Sequence, residues 1–170
     1  MAHSNQFNRP LIKNHGKVMP FKKLPMGCKL AMVHYMAVDG EAWALPKEVL
    51  KKDGGYRRMG KTLNALLEQN MGYFDKTYGD TRFGLAMVPR EEVEAALLKG
   101  FQRDNDNKDI KTIKDYHAML RGFTVKHKTA DWAVIFSSFD DDNILQDGWH
   151  RLTCYLKMKI KTIPCLYYCS

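Results

Sequence analysis

The sequence lacks the cysteine pattern of a metal site or of a disulfide-rich scaffold. The four cysteines are Cys28, Cys154, Cys165 and Cys169; they form no CxxC pair, and no Cys/His set has zinc-site spacing. The chain also lacks an N-terminal secretory signal and any apolar run long enough to cross a bilayer. We therefore expect structural thiols, a cytoplasmic location and no membrane partner.

The composition is typical of a globular protein with a basic surplus. The chain has 170 residues, of which 45% are hydrophobic and 11% aromatic, enough for one domain with a core. Lys and Arg number 27 against 19 Asp and Glu, a net charge of +8. This balance suits a nucleic acid or a nucleotide, although it is also common in small proteins that bind neither. We predict a basic N-terminal arm over residues 1–26 and a single domain over residues 27–170.

Residues 143–168 read NILQDGWHRLTCYLKMKIKTIPCLYY and carry the clearest pattern in the chain. A short apolar run ends at Asp147-Gly148, and a helical apolar face follows, formed by Leu152, Tyr155 and Leu156. Positive charge suits the end of this helix, at Lys157, Lys159 and Lys161. The next apolar stretch contains Pro164, which favours an edge or bend position. The pattern predicts strand, tight turn, helix and strand, with Asp147 capping the helix.

The turn itself has the composition of a phosphate site. Gly148 permits close approach to the first N–H groups of the helix, and His150 and Arg151 can donate hydrogen bonds to phosphoryl oxygens. Asp147 is a candidate ligand for a magnesium ion. Trp149 either stacks on a base or packs on the core. We take Asp147, His150 and Arg151 as candidate catalytic residues, with Arg151 facing a ligand. The alternative is purely structural: Asp147 caps the helix, and His150 and Arg151 are surface residues.

The segment DGWHRL, followed by a helix and IKTIPCLYY, resembles the ParB/sulfiredoxin-like superfamily over residues 130–168. WAVIFSS, at residues 132–138, resembles the hairpin that leads into the family's turn. The resemblance implies a small mixed α/β sheet surrounded by helices. It also implies that ATP or CTP phosphates bind at Gly148, His150 and Arg151. Sulfiredoxins place a catalytic cysteine where this chain has Trp149, so sulfiredoxin chemistry is not expected.

The superfamily includes proteins with different functions. Partition proteins bind CTP but carry a helix-turn-helix domain, which we do not expect here because the chain ends after the last predicted strand. The basic surplus and the intact turn favour the plasmid fertility-inhibition factors of the Osa type. We thus expect a nucleotide-binding, DNA-engaging protein with NTPase or DNase activity, acting in plasmid or phage interference with DNA transfer or host defence. The alternatives are a phosphotransferase resembling free-serine kinases and a non-catalytic inhibitor of a protein partner.

The DNA-binding candidates lie outside this segment. A helix predicted over residues 56–71 has cations in its first turns, where the helix dipole disfavours them. A predicted strand over residues 123–128 alternates apolar and basic side chains. We expect DNA phosphates to contact five residues: Arg57, Arg58, Lys61, Lys126 and Lys128. Solvated surface charge is the plain alternative.

The remaining segments have more ordinary patterns. Residues 29–38 are apolar and predict a buried strand, with His34 as a core or edge histidine and a hairpin turn at Asp39-Gly40. Asp39 and Glu41 are further candidates for metal or proton chemistry. Residues 72–84 predict a loop or short hairpin, and residues 85–88 a strand. Helices are predicted over residues 89–101 and 110–121, the second ended by Gly122.

Overall fold

The computed structural model describes residues 16–38, 64–68, 71–103, 106–120, 132–136 and 145–169. The strands are β1 (Gly16–Pro20), β2 (Arg82–Pro89), β3 (Val134–Phe136), β4 (Leu145–Asp147) and β5 (Thr162–Cys169). The helices are α1 (Met26–Val38), α2 (Met71–Tyr78), α3 (Arg90–Arg103), α4 (Ile113–Met119) and α5 (Trp149–Lys157). A short 3-10 turn, Phe21–Lys23, separates β1 from α1.

The strands form one mixed sheet in the order β1-β2-β5-β3-β4. β3 and β5 are parallel, and the other neighbouring strands are antiparallel. β5 pairs with β2 along its whole length, from Arg82↔Cys169 to Pro89↔Thr162. The mixed sheet and its helices confirm the predicted α/β class.

Hydrophobic clusters cover both faces of the sheet. On one face, strand residues such as Ala86, Cys165 and Val134 pack against side chains of α3, α4 and α5. On the other, alternate residues such as Phe83, Leu166 and Ile135 pack against α1, α2 and the 3-10 turn. The alternation follows the two-residue period of a strand. Burial on both faces explains why the sequences of the three inner strands, β2, β5 and β3, are largely apolar.

The predicted strand–turn–helix–strand unit is present as β4, Gly148, α5 and β5. Of the predicted edge or bend position of Pro164, the edge strand is wrong, because β5 lies at the centre of the sheet and pairs with both β2 and β3. Pro164 pairs with Met87, and the register with β3 begins one residue later, at Val134↔Cys165. The proline, which has no backbone N–H, thus lies just outside the stretch paired with β3.

α3 and α4 confirm two predicted helices. α3 begins at Arg90, directly after Pro89, with Glu91 and Glu92 in its first turn. α4 is shorter than predicted, because Thr112 and Asp115 form a capping box and set its start. The Thr112 side chain accepts a hydrogen bond from the Asp115 backbone N–H at 3.2 Å. In return the Asp115 carboxylate accepts one from the Thr112 N–H at 2.8 Å.

Two predictions of local structure are wrong. Residues 29–38 belong to helix α1, whose first turn is closed by N–H groups of Cys28 and Lys29 bonding to the Pro25 carbonyl. The segment is apolar on all sides because the helix is buried. Residues 72–84 are not a loop: α2 takes most of them, and β2 starts before the predicted strand.

Part of the predicted basic arm belongs to the sheet. β1 is extended and pairs with β2 from Gly16↔Ala86 to Pro20↔Arg82. Residues 64–68 are helical, in agreement with the helix predicted over residues 56–71. Several predictions lie outside the described residues: the hairpin turn at Asp39-Gly40, the helix end at Gly122 and the strand over residues 123–128. Among the described helices, none has the length and hydrophobicity of a membrane-spanning segment.

Candidate functional site

Gly148 forms the corner between β4 and α5. Its φ of 96° lies in the left-handed region, which glycine adopts without strain. A Cβ added there would lie 3.2 Å from the Cα of Val134 and 3.2 Å from Arg151 Nη1. Gly148 is itself the N-cap, so the predicted capping role of Asp147 is wrong. Among the described residues, no side chain caps the N-terminus of α5.

The Arg151 side chain lies on the interior side of this corner and not on its solvent side. It is 1% exposed, so the expectation that it faces a ligand and not the core is wrong. Nη1 donates a hydrogen bond to the carbonyl of Ala133, and the guanidinium lies over the Trp132 ring, 5.5 Å from its centroid. Nη2 is 3.7 Å from Asp147 Oδ2. The arginine therefore holds together the end of β4 and the residues that precede β3.

A β-bulge directs the end of β4 towards α1. Leu145 pairs with Phe136, whereas Asp147 pairs with Ile135, so two residues of β4 match one step of β3. As a result, Gln146 and Asp147 both reach α1. Gln146 Nε2 donates a hydrogen bond to the Tyr35 hydroxyl at 2.7 Å, and Asp147 Oδ2 lies 3.9 Å from His34 Nδ1.

His34 belongs to this site, although its sequence pattern predicts only a core or edge histidine. Its side chain is 14% exposed and lies next to the carboxylate of Asp147. The chain separates the two residues by more than a hundred positions, so no local pattern joins them. The signal in the sequence is the length of the apolar run, which exceeds a typical buried strand and favours a helix.

The electrostatic environment keeps Asp147 ionised. Burial raises the pKa of Asp147, but the His34 imidazole and the Arg151 guanidinium outweigh burial and hold it below its ordinary value. His150, in the first turn of α5, is half-buried, and burial lowers its pKa although the charge of Asp147 opposes the change. At neutral pH the corner therefore has a fixed carboxylate and a neutral His150 imidazole that can donate or accept a hydrogen bond.

Trp149 packs on the core, one of the two alternatives for this residue. Its ring centroid lies 5.8 Å from that of Phe101 and 6.1 Å from that of Tyr116. The Tyr116 hydroxyl donates a hydrogen bond of 2.5 Å to the Trp149 carbonyl, and burial raises the pKa of Tyr116. Helices α3 and α4 thus fix the start of α5, so stacking on a base would require the ring to move.

No protein-family model, curated protein or solved structure matches this chain. The resemblance to the ParB/sulfiredoxin-like superfamily stays a prediction.

The described residues do not fit a magnesium site at Asp147. Within the described ranges, His, Cys, Asp and Glu side chains form no group of three or more that would hold a metal ion. The carboxylate of Asp147 is paired with Arg151, whose positive charge would repel a dication. We therefore derive no chemistry from a protein-bound metal.

A cavity beside α4 is lined by acids, Asp106, Asp109 and Asp115 among them, and its charge does not suit a phosphate. The five predicted DNA contacts fall outside the described residues, namely Arg57, Arg58, Lys61, Lys126 and Lys128. Asp39 and Glu41 do so as well.

Proposed function

We propose that this protein binds the phosphate groups of a nucleotide, ATP or CTP, at the Gly148 corner, and that it also engages DNA. The observation that supports nucleotide binding is the start of α5 at a left-handed glycine, without a side-chain cap among the described residues. The first N–H groups of a helix and its dipole favour an anion at this position. The resemblance of DGWHRL to a phosphate-binding turn points to the same place.

Among the neighbouring residues, His150 keeps the phosphate contact expected from sequence, whereas Arg151 is given a different role. His150 is the side chain proposed to contact phosphate, because it is half-buried in the first turn of α5. Arg151 is a positioning residue: its charge offsets that of Asp147, which would otherwise repel a phosphate at the neighbouring helix start. Trp149 anchors the helix through Phe101 and Tyr116.

The proposal includes hydrolysis of the terminal phosphate. Asp147 lies beside Nδ1 of His34, and a carboxylate in this position can orient the imidazole as a general base. In the proposed step a water oxygen bonds to the terminal phosphorus and the bond to the leaving diphosphate breaks. His34 takes the proton of that water. The 3.9 Å separation is the distance of an ion pair and is longer than a hydrogen bond. The resemblance implies interference with plasmid or phage DNA as the setting.

A thermal-shift panel with ATP, CTP, GTP and ADP, with and without magnesium, tests nucleotide binding. A ligand at one hundred times its Kd stabilises the folded state by about 2.7 kcal/mol, which raises Tm measurably. His150→Ala should reduce the shift. His117→Ala is the matched control, since His117 is a half-buried histidine of α4 and should leave the shift unchanged.

The absence of a shift with every nucleotide in the wild-type protein would refute the proposed site. Phosphate transfer to serine would identify the phosphotransferase instead. A stable protein complex without nucleotide binding would identify the inhibitor.

A further inference from the structure

Three lysines lie at the end of α5 and in the turn that leads to β5: Lys157, Lys159 and Lys161. All three are exposed. The sequence has no Asp or Glu after Asp147, so this turn has no acidic residue within it or in the strand that follows. We call residues 157–161 the lysine turn.

The backbone of the lysine turn has a conformation that favours glycine. α5 ends at Lys157 with Met158 as its C-cap, and Lys159 has a φ of 52°. The Lys159 N–H bonds to the Leu156 carbonyl at 3.2 Å, and the Ile160 N–H bonds to the Tyr155 carbonyl at 3.3 Å. These are the two hydrogen bonds of a Schellman motif, in which the left-handed residue is usually glycine.

A lysine at this position is strained relative to glycine, because its Cβ crowds the backbone in the left-handed region. The helix dipole does not require it, since Lys157 already places a cation in the last turn of α5. A strained residue at an exposed site is a reason to look for a function that its side chain serves. For the exposed ammonium group of Lys159, the function that fits is contact with an anion.

Nearby charges leave the lysine turn positive. The N-terminus of α3 lies against it, with the Arg90 N–H bonded to the Lys161 carbonyl at 3.0 Å. The start of α3 carries three acids: Glu91 and Glu94 lie 2.8 Å and 3.7 Å from Arg90, and Glu92 is exposed in the first turn. The four cations Lys157, Lys159, Lys161 and Arg90 outnumber these three acids. On the α4 side the neighbour of Lys157 is His117, a neutral or positive group.

We propose that the lysine turn binds the phosphate backbone of duplex DNA without base specificity. The inference rests on the DNA-engaging part of the proposed function and adds the surface that binds the duplex. Lysines act on phosphates as point charges and carry no base readout when they contact only the backbone. Such binding is steeply dependent on salt.

Lys159→Gly gives the sharpest test, because it removes a charge while relieving strain. We expect Tm to rise by about 2–4 °C. In the same variant, the affinity for a mixed-sequence DNA duplex, measured by fluorescence anisotropy, should fall. The slope of log affinity against log salt should become shallower by about 0.9 for each phosphate that the variant no longer neutralises. The double variant Lys157→Gln/Lys161→Gln should reduce the slope by about twice as much.

Lys99→Gln is the matched control, since Lys99 is an exposed lysine on α3 and should leave the slope unchanged. If the wild-type protein binds DNA and all the lysine-turn variants bind it equally well, the lysine turn is not the surface, although the proposed function stands. Binding of RNA but not of duplex DNA would overturn the assignment of the partner. If the wild-type protein binds no DNA at low salt, both this inference and the DNA-engaging proposal fail, whereas nucleotide binding is tested separately by thermal shift.

Discussion

Asp147 and Arg151 are joined by an ion pair of 3.7 Å across the corner between a strand and a helix, and Arg151 is almost completely buried. The pair lies four residues apart, the spacing of neighbours on a helix, yet Asp147 belongs to β4. Gly148 makes this possible, because its left-handed backbone turns the chain sharply between the two. The corner is therefore held from inside by a charge network, and any ligand would meet a preformed backbone.

Removing the Arg151 side chain should destabilise the fold. Arg151→Ala would leave the Asp147 carboxylate without its guanidinium and the Ala133 carbonyl without its donor. Breaking a buried ion pair in this way lowers the free energy of unfolding by about 3–5 kcal/mol. Urea unfolding measures the loss, and Arg151→Lys, which keeps the charge, should lose less. Full stability of Arg151→Ala together with abolished nucleotide binding would show that the arginine serves a ligand after all.

Two glycines should respond in opposite ways to replacement by alanine. Gly148→Ala places a Cβ 3.2 Å from Val134 and Arg151 in a left-handed backbone, and should lower the free energy of unfolding by about 1–3 kcal/mol. Gly72→Ala is the control: Gly72 is exposed in helix α2, and an added Cβ meets nothing within 4 Å. That change should raise stability by about 0.5–1 kcal/mol. Equal effects in thermal denaturation would contradict the role assigned to the corner.

Stability should fall in acid partly because of Asp147. Its pKa in the folded protein is lower than its ordinary value of 3.8, so the ionised form stabilises the fold. This contribution is fully present above pH 3.8 and is lost as the pH falls through the lower pKa of the folded state. Asp147→Asn should therefore cost more stability at pH 7 than well below the ordinary pKa. A pH-independent cost of Asp147→Asn would mean that its charge is not what stabilises the corner.

The segments predicted well from sequence have local signals that tertiary contacts do not override. α3 follows a proline and begins with two acids, and α5 follows the Asp147-Gly148 break with a clear apolar face. In both helices, a few neighbouring residues determine where the helix begins and which of its sides is buried. β5 is predictable for the same reason, although its central place in the sheet depends on distant partners.

The failures have a different origin. The segment of α1 is apolar on every side, and such a run has no periodicity that separates a buried helix from a buried strand. The orientation of the Arg151 side chain also cannot be predicted from a local pattern. It depends on contacts with the carbonyl of Ala133 and the ring of Trp132, which lie near Arg151 only in the folded protein. His34 lies beside Asp147 because of the β-bulge in the β3–β4 pair, and no residue type in the sequence predicts that bulge.

The central place of β5 has a consequence for how the chain folds. β1–β2 on one side and β3–β4 on the other share no strand pairing, and only β5 joins them in the described sheet. The residues of β2 that pair with β5 are distant from it in sequence. The sheet therefore cannot form from contacts between sequence neighbours alone and requires closure of a long loop. Each two-stranded pair alone is too small to be stable in water. Docking of the last strand should therefore be the step that commits both halves to the native state together.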